Sequence, residues 1–239
     1  MTQPAARVGG GHGLRVGLMV PANNTTMEHE LPAWLPSGSG CTTLRIRRGS
    51  RTLTLEDIPA YVAQAVDMAA SFAEEQLDVV VYGCTAAGIL AGPQRDAEIA
   101  AALAQVTGKP TVTTAHSMVA CLDQLGARDI ALLTPYLEAV NERLVQFLAS
   151  AGIQVRSMRS FNAATVDELA AIDAVAVQRH ARETMRRGCQ ALFIACSQLP
   201  TAGIIAALEE ELGCPVWSSI RATAWQACIA SAAIAAPAA

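Results

Sequence analysis

Two segments of the sequence repeat one pattern, in which a short apolar run ends at a cysteine that small residues follow. The cysteines are Cys84 and Cys196, and each is preceded by an earlier apolar run that ends at a proline, Pro21 or Pro135. The proline lies 63 positions before the cysteine in the first half and 61 positions before it in the second. This spacing predicts a duplicated unit whose two thiols face one cleft.

Short aliphatic runs alternate with longer segments of helical periodicity, which is typical of βαβ units with parallel strands. The predicted strands are residues 15–20, 42–47, 79–82, 111–113, 130–133, 154–157, 192–195 and 216–218. The predicted helices are residues 55–75, 96–105, 117–125, 137–151, 166–187, 202–212 and 222–230. The expected fold class is therefore α/β, with two similar Rossmann-like subdomains. Each has a parallel four-stranded sheet, a pseudo-twofold axis relates them, and the active site lies between them.

The chain divides into three expected parts. Residues 1–13 form a flexible N-terminal tail, residues 14–126 a first α/β subdomain and residues 127–239 a second one. The C-terminal helix is a candidate to complete the first subdomain. Because no proline- or serine-rich linker separates the halves, we expect them to pack closely against each other.

The composition excludes several classes of protein. Hydrophobic residues make up 52% and charged residues 16% of the chain, which excludes intrinsic disorder. A net charge of −4 gives no attraction to nucleic acid, and the alanine-rich end is shorter than the roughly 20 residues that span a bilayer. Seven dispersed cysteines favour a reducing cytoplasm, and their spacing from the four histidines predicts no metal site. We therefore expect a small-molecule substrate. The assembly to test for is a homodimer or higher homo-oligomer.

The residues that directly follow strands are the candidates for chemistry, because ligands of open parallel sheets bind outside the carboxyl ends of the strands. Cys84 and Cys196 are both expected to begin a helix, where the helix dipole and free N–H groups lower a thiol pKa from about 8.5. Two such thiols can act as base and acid, or one can add to carbon while the other delivers a proton. The alternative is two small buried hydrophobic residues. The matched pair favours chemistry.

Neutral hydrogen-bonding groups accompany these thiols and suit a small carboxylate. Asn24 also suits helix capping, and Tyr136 also suits a half-buried turn. The sequence contains no G-x-G-x-x-G or P-loop fingerprint, so no nucleotide cofactor is expected. The candidate substrate-binding residues at these strand ends are Pro21, Asn23, Asn24, Thr85, Tyr136 and Ser197.

Three motifs resemble those of one known family. Residues 20–28, V-P-A-N-N-T-T-M-E, are similar to the opening motif V-P-S-S-N-x-T-x-E of maleate cis-trans isomerases, and residues 132–136 and 196–200 are similar to their second-half motifs. On these motifs the chain resembles the aspartate/glutamate racemase superfamily, most closely its maleate cis-trans isomerase and arylmalonate decarboxylase branch. The resemblance implies two α/β subdomains that close, without a cofactor, on a small dicarboxylate.

The resemblance also implies roles for single residues. Cys84 would be the nucleophile or base and Cys196 the acid/base on the opposite face, while Asn24, Tyr136 and Asn162 would hold the substrate carboxylates. The implied reaction converts maleate to fumarate: the Cys84 thiolate adds to an olefinic carbon, the resulting single bond rotates, and the thiolate leaves.

Other activities stay open at this point. The residues after Cys84 are nearer to those of racemases and of the decarboxylase, so a racemase of an amino acid or hydantoin is an alternative. An arylmalonate-type decarboxylase is a further one, although the presence of Cys84 argues against it. A non-catalytic two-lobed protein that binds a small ligand is the alternative outside enzymes, and the paired thiols count against that class.

Overall fold

The strands of the protein form two parallel four-stranded sheets. The computed structural model describes residues 13–49 and 51–235, so nearly all of the expected N-terminal tail lies outside the described residues. The first sheet, in the order β2-β1-β3-β4, contains β1 (Arg15–Pro21), β2 (Gly40–Ile46), β3 (Val79–Tyr82) and β4 (Thr111–Thr113). The second, in the order β6-β5-β7-β8, contains β5 (Asp129–Thr134), β6 (Gln154–Ser160), β7 (Ala191–Ile194) and β8 (Val216–Ser218). The expected α/β fold class is confirmed.

The register of the central strands shows that the two halves repeat one arrangement. In the first sheet Met19 of β1 pairs with Tyr82 of β3, and in the second sheet Leu133 of β5 pairs with Ile194 of β7. In both halves the proline lies two residues beyond the first member of this pair and the cysteine two residues beyond the second. The two cysteines therefore leave equivalent strands at an equivalent point.

Helices flank both sheets. They are α1 (Thr26–Glu30), α2 (Ile58–Ala69), α3 (Thr85–Ala91), α4 (Pro93–Thr107), α5 (Thr114–Gln124), α6 (Glu138–Ser150), α7 (Val166–Ala170), α8 (Ala174–Thr184), α9 (Ile205–Leu212) and α10 (Ser219–Ala235). The helix predicted over residues 166–187 is divided into α7 and α8. The Asp173 side chain accepts a hydrogen bond from the Ala176 N–H at 2.7 Å and so caps a new helix start. In the part of the chain that is described, no helix is long and apolar enough to cross a bilayer.

The last helix of the chain returns to the first sheet. α10 packs against α5 and along β3 and β4. Its residues Ile220, Ala224 and Ala227 are fully buried in one apolar cluster with Val16 and Leu18 of β1. α3 of the first half also packs against α6 of the second. The two halves therefore share helical contacts, and the subdomain boundary expected from the sequence stays a prediction.

Asp96 on α4 is a buried carboxylate within the first half. Its Oδ2 accepts a hydrogen bond from the Thr113 hydroxyl at 2.5 Å, while Oδ1 has no hydrogen-bond partner among the described residues. This oxygen lies against Gly88 of α3, where a Cβ would come within 2.4 Å of it. Burial raises the pKa of the Asp96 carboxyl to about 6. The ionised form therefore lowers the stability of the folded state at neutral pH, by about 3 kcal/mol for a rise of this size.

The sign of this effect gives a stability prediction. Because the pKa of Asp96 is higher in the folded state, the folded state binds the proton more tightly between about pH 4 and pH 6, and the free energy of unfolding falls as pH rises through this window. We expect the Asp96→Asn variant not to show this fall in the free energy of unfolding. Between pH 4 and pH 7 the wild type then loses up to about 3 kcal/mol relative to the variant in urea denaturation.

Asp57→Asn is the matched control for this measurement. The backbone N–H of Thr54 lowers the pKa of the Asp57 carboxyl, so its stabilising effect is present above the unfolded-state pKa and is lost as pH falls. Removal of the Asp57 carboxyl therefore changes the pH dependence of the free energy of unfolding in the sense opposite to that of Asp96→Asn. A stability difference between the wild type and Asp96→Asn that is constant across the pH range would contradict the prediction.

Candidate active site

Both cysteines line one cavity at the carboxyl ends of the central strands. The strand orders place a switch point between β1 and β3 and another between β5 and β7, where a crevice opens in such sheets. The cavity is narrow, with a volume of about 30 Å³. Within the described residues, no three His, Cys, Asp or Glu side chains lie close enough together to hold a metal ion. Besides Cys84 and Cys196, the predicted residues that line the cavity are Pro21, Asn24, Thr85, Tyr136 and Ser197.

Cys84 is the N-cap residue of α3, as the sequence predicts. The preceding Gly83 allows the chain to pass close to β1, because a Cβ at that position would lie 2.9 Å from the Met19 carbonyl oxygen. The same oxygen accepts a hydrogen bond from the Gly83 N–H at 2.7 Å. The N–H groups of Ala86 and Ala87 point toward the thiol and lower its pKa. The first turn of α3 therefore provides the donors expected at a helix start.

The expectation that Cys196 also begins a helix is wrong. The chain turns after β7, and α9 begins only at Ile205. Cys196 has a φ of +138°, a region that costs a residue with a side chain about 1–3 kcal/mol. The Ser219 hydroxyl oxygen stabilises this conformation by accepting a hydrogen bond from the Cys196 N–H at 3.0 Å. The N–H of Gln198 points to the thiol sulfur at 3.4 Å, so a turn supplies the donor that a helix was expected to supply.

The expectation of lowered thiol pKa values is also wrong for this closed cavity. Burial raises the pKa of Cys84 and of Cys196 and is the largest influence on both. The Gln198 N–H and the Tyr136 hydroxyl lower the pKa of Cys196 by less, and the neighbouring Cys84 raises it. Loss of hydration therefore outweighs the nearby N–H donors, because it disfavours the charged form directly. Both groups rest as neutral thiols near pH 7.

A buried chain of hydrogen bonds joins the two cysteine loops. The Asn24 side-chain amide donates to the Ser197 hydroxyl oxygen at 3.0 Å, and this hydroxyl donates to the Gly83 carbonyl oxygen at 2.8 Å. The Asn24 side-chain oxygen also accepts a hydrogen bond from the Met27 N–H at 3.1 Å, so Asn24 binds the first turn of α1, whose N-cap residue is Thr25. Asn24 and Ser197 thus lie at the cavity wall. Their hydrogen bonds to each other and to Gly83 fix the loops of Cys84 and Cys196 relative to each other.

A second link lies beside the first one. The Asn23 amide donates to the Gln198 side-chain oxygen at 3.1 Å, and the Asn23 side-chain oxygen accepts from Nε of Arg48 at 2.8 Å. Asn23 itself does not line the cavity. Asn23 therefore does not contact the cavity directly. Through its hydrogen bonds to Arg48 and Gln198 it connects the loops after β1, β2 and β7.

Tyr136 and Thr85 carry hydroxyls that are available to a ligand. Neither hydroxyl has a hydrogen-bond partner among the described residues, and both side chains are buried at the cavity. The Tyr136 hydroxyl nevertheless lies near enough to the Cys196 thiol to lower its pKa. Two unpartnered donors beside two thiols are suited to a bound carboxylate or an oxyanion.

Asn162 does not join this group. It lines a separate groove on the surface together with Glu138 and Glu142, and its backbone N–H donates to the Ser160 hydroxyl oxygen at 3.1 Å. Its φ of +55° turns the chain so that the next residue, Ala163, lines the cavity instead. Asn162 therefore directly precedes a cavity residue in the sequence but itself lies outside the cavity.

The sequence reasoning missed Arg48 and Tyr61, which both lie near Cys84. Arg48 follows β2 and lines the cavity, and its positive charge lowers the pKa of the Cys84 thiol. Tyr61 of α2 is buried, and its hydroxyl also lowers this pKa. The signal for Arg48 was present, because β2 is an outer neighbour of β1 and its carboxyl end reaches the same edge. The signal for Tyr61 was absent, since it is one apolar position in a helix.

Comparison with known proteins identifies the family. A model of the family described as arylmalonate decarboxylase matches residues 16–238. The chain belongs to this arylmalonate decarboxylase family. Maleate isomerase of Nocardia farcinica is 30% identical over 219 residues, which cover 88% of this chain and 87% of the relative. Arylmalonate decarboxylase of Bordetella bronchiseptica is 28% identical over 211 residues, which cover 87% of this chain and 84% of the relative.

Solved structures similar to this member of the arylmalonate decarboxylase family share its fold. The maleate isomerase Iso of Pseudomonas putida S16 gives a TM-score of 0.84 at 26% identity and covers 94% of each chain. A cysteine-to-serine variant of Nocardia farcinica maleate cis-trans isomerase gives a TM-score of 0.82 at 28% identity, covering 89% of this chain and 90% of that one. That variant contains a covalently bound succinylcysteine intermediate.

The burial of the two cavity thiols gives a labelling prediction. We expect N-ethylmaleimide at pH 7.5 to modify the half-buried Cys189 at least about ten-fold faster than Cys84 and Cys196, because both cavity thiols are shielded and neutral. Peptide mapping by mass spectrometry measures the three rates in one sample, with Cys189 as the internal control. Labelling of both cavity thiols at the rate of Cys189 would contradict the closed, protonated state.

Proposed function

We propose that the protein is a cofactor-independent isomerase that converts maleate to fumarate. The observation that carries the proposal is that Cys84 and Cys196 leave equivalent strands and line one narrow cavity. Relatives and fold neighbours named maleate isomerase support it. The succinylcysteine found in one of them is the adduct that addition of a thiol to maleate would form.

The roles of the two cysteines follow from their surroundings. The charge of Arg48 has the largest lowering effect on the pKa of Cys84. Its effect on the pKa of Cys196 is smaller than those of the Gln198 N–H, the Tyr136 hydroxyl and Cys84. Cys84 therefore has the nearby positive charge that suits a nucleophilic thiolate. Cys196 lies next to the neutral Tyr136 hydroxyl and suits the role of the proton donor.

The reaction proceeds by addition, rotation and elimination. The Cys84 thiol gives its proton to water as the substrate enters and regains a proton when the product leaves. The Cys84 thiolate forms a C–S bond to one olefinic carbon, and the π electron pair moves to the other carbon and its carboxylate. Cys196 donates its proton to that carbon, which gives a succinyl adduct with a C–C single bond. After rotation about this bond the Cys196 thiolate takes a proton back, the double bond reforms in the trans geometry, and the C–S bond breaks. Both thiols return to their starting forms without a cofactor.

Activity and trapping test the proposal. We expect proton NMR to show conversion of maleate to fumarate, and we expect Cys84→Ala to abolish it because the attacking atom is gone. Cys196→Ser lowers the rate by about 100- to 10,000-fold because the proton donor is weakened. The same variant accumulates an adduct on Cys84, and its intact mass rises by that of one maleic acid.

Cys189→Ala is the matched control, because Cys189 does not line the cavity and this variant keeps the wild-type rate. Failure of the wild type to form fumarate would overturn the proposal. In deuterated water, α-deuteration of an amino acid or a hydantoin without maleate turnover would establish a racemase instead. Carbon dioxide release from an arylmalonate would establish a decarboxylase.

We also propose a cytoplasmic location for the protein. All seven cysteines are free thiols, which supports a location in the reducing cytoplasm. The homo-oligomer expected from the sequence stays a prediction.

A further inference from the structure

Arg48 brings a positive charge to the cavity without an anionic partner. It forms no ion pair among the described residues, and its Nη2 is buried there without a hydrogen-bond partner. An unpartnered N–H of a charged group is costly, and folded proteins rarely leave one buried without a ligand or another partner. The open nitrogen is therefore a donor that an anion could use.

The two nearby arginines differ from Arg48. Arg45 forms an ion pair with Glu28 and donates to the Asn24 carbonyl oxygen at 3.1 Å. Arg47 is exposed and does not line the cavity. Of the three, Arg48 alone combines a position at the cavity with an unused donor.

The guanidinium group of Arg48 is held in place before a ligand arrives. Its Nε donates to the Asn23 side-chain oxygen at 2.8 Å, and Asn23 donates in turn to the Gln198 side-chain oxygen at 3.1 Å. Gln198 lies two residues after Cys196. This chain fixes the planar fork relative to both cysteine loops, so binding an anion costs less conformational entropy than binding to a free side chain.

We propose that Arg48 selects a dicarboxylate, binding one carboxylate through Nη2 beside Cys84 while the hydroxyls of Tyr136 and Thr85 bind the other. The proposal deepens the isomerase assignment and rests on it. A monocarboxylate needs only one of these sites, whereas a dicarboxylate uses the charged donor at one end of the cavity and the neutral donors near Cys196. The charge of Arg48 also compensates one of the two negative charges that the substrate brings into a buried space.

The same charge affects the ionisation of Cys84. The titratable groups that face this thiol are Arg48 from the loop after β2, Tyr61 of α2, Tyr82 of β3, Tyr136 after β5 and Cys196 after β7. Burial raises the pKa of all three tyrosines and of Cys196, so these four groups are neutral near pH 7. Removal of the Arg48 charge therefore shifts the ionisation of Cys84 to higher pH.

The test uses two substitutions and a matched control. Arg48→Gln removes the charge but keeps an amide that can donate to Asn23, and Arg48→Lys keeps the charge without the fork. Arg47→Gln removes the same charge one residue away, on a side chain outside the cavity. Calorimetry measures the binding of succinate, an unreactive dicarboxylate, and of butyrate, its monocarboxylate counterpart.

We expect Arg48→Gln to weaken succinate binding by about 10- to 100-fold and butyrate binding by less than about three-fold. Arg48→Lys restores part of the succinate affinity, and Arg47→Gln changes neither ligand. The pH midpoint of Cys84 alkylation by iodoacetamide moves to higher pH in Arg48→Gln and returns toward the wild-type value in Arg48→Lys. The midpoint, unlike the rate, does not depend on how far the cavity opens.

Several results would overturn the proposal: no succinate binding by the wild type, equal loss of both ligands in Arg48→Gln, or an unchanged alkylation midpoint. Maleate turnover, measured on the same samples, separates this proposal from the isomerase assignment. Wild-type turnover that Arg48→Gln leaves unchanged overturns the role of Arg48 and leaves the isomerase intact. Succinate binding that depends on Arg48, without any maleate turnover, leaves the dicarboxylate site intact and overturns the isomerase.

Discussion

The buried hydrogen bonds from Asn24 through Ser197 to Gly83 are the interaction on which the site depends. Each α/β half has its own sheet, and nothing in either sheet fixes the distance between the two cysteine loops. Ser197 belongs to the loop of Cys196, and its hydroxyl donates to the Gly83 carbonyl oxygen in the loop of Cys84, so this hydrogen bond sets that distance. The same hydroxyl accepts from Asn24 in the loop after β1. Glu30 adds a further link, because its carboxylate accepts from the N–H groups of Thr201 and Ala202 at 2.9 and 3.0 Å. These contacts hold two independent strand ends as one cavity.

Burial of the two thiols in the cavity has two opposite effects on their reactivity. Enclosure strengthens every electrostatic interaction inside it, which favours catalysis once a substrate is bound. The same enclosure removes water from the thiols and raises their pKa values. A helix start, a tyrosine and an arginine all act in the other direction on Cys84, and together they do not cancel its desolvation. The resting enzyme is thus protected from oxidation and alkylation, and the reactive thiolate has to form as the substrate enters.

The two halves have the same strand order, and the site depends on the differences between them. Cys84 begins α3 and faces Arg48, whereas Cys196 lies in a turn with a positive φ and faces Tyr136. A symmetric pair of thiols would have the same tendency to ionise. Different local structure after equivalent strands gives one thiol a nearby positive charge and the other a neutral phenol. A reaction that needs a nucleophile and a proton donor requires such an asymmetry.

The sequence alone determined the fold class, the eight strands and the pairing of Cys84 with Cys196, because periodicity and strand-end position are local properties that repeat in both halves. It also placed Asn24, Thr85, Tyr136 and Ser197 at the cavity. Only the tertiary structure decided which groups reach the thiols from other elements. Arg48 is far from both cysteines in sequence, Asn162 turns away while its neighbour faces inward, and burial reverses the expected pKa change. The position of Arg48 after a strand can be read from the sequence. Its closeness to Cys84, the turn at Asn162 and the burial of the thiols are long-range effects of packing, and no local pattern in the chain encodes them.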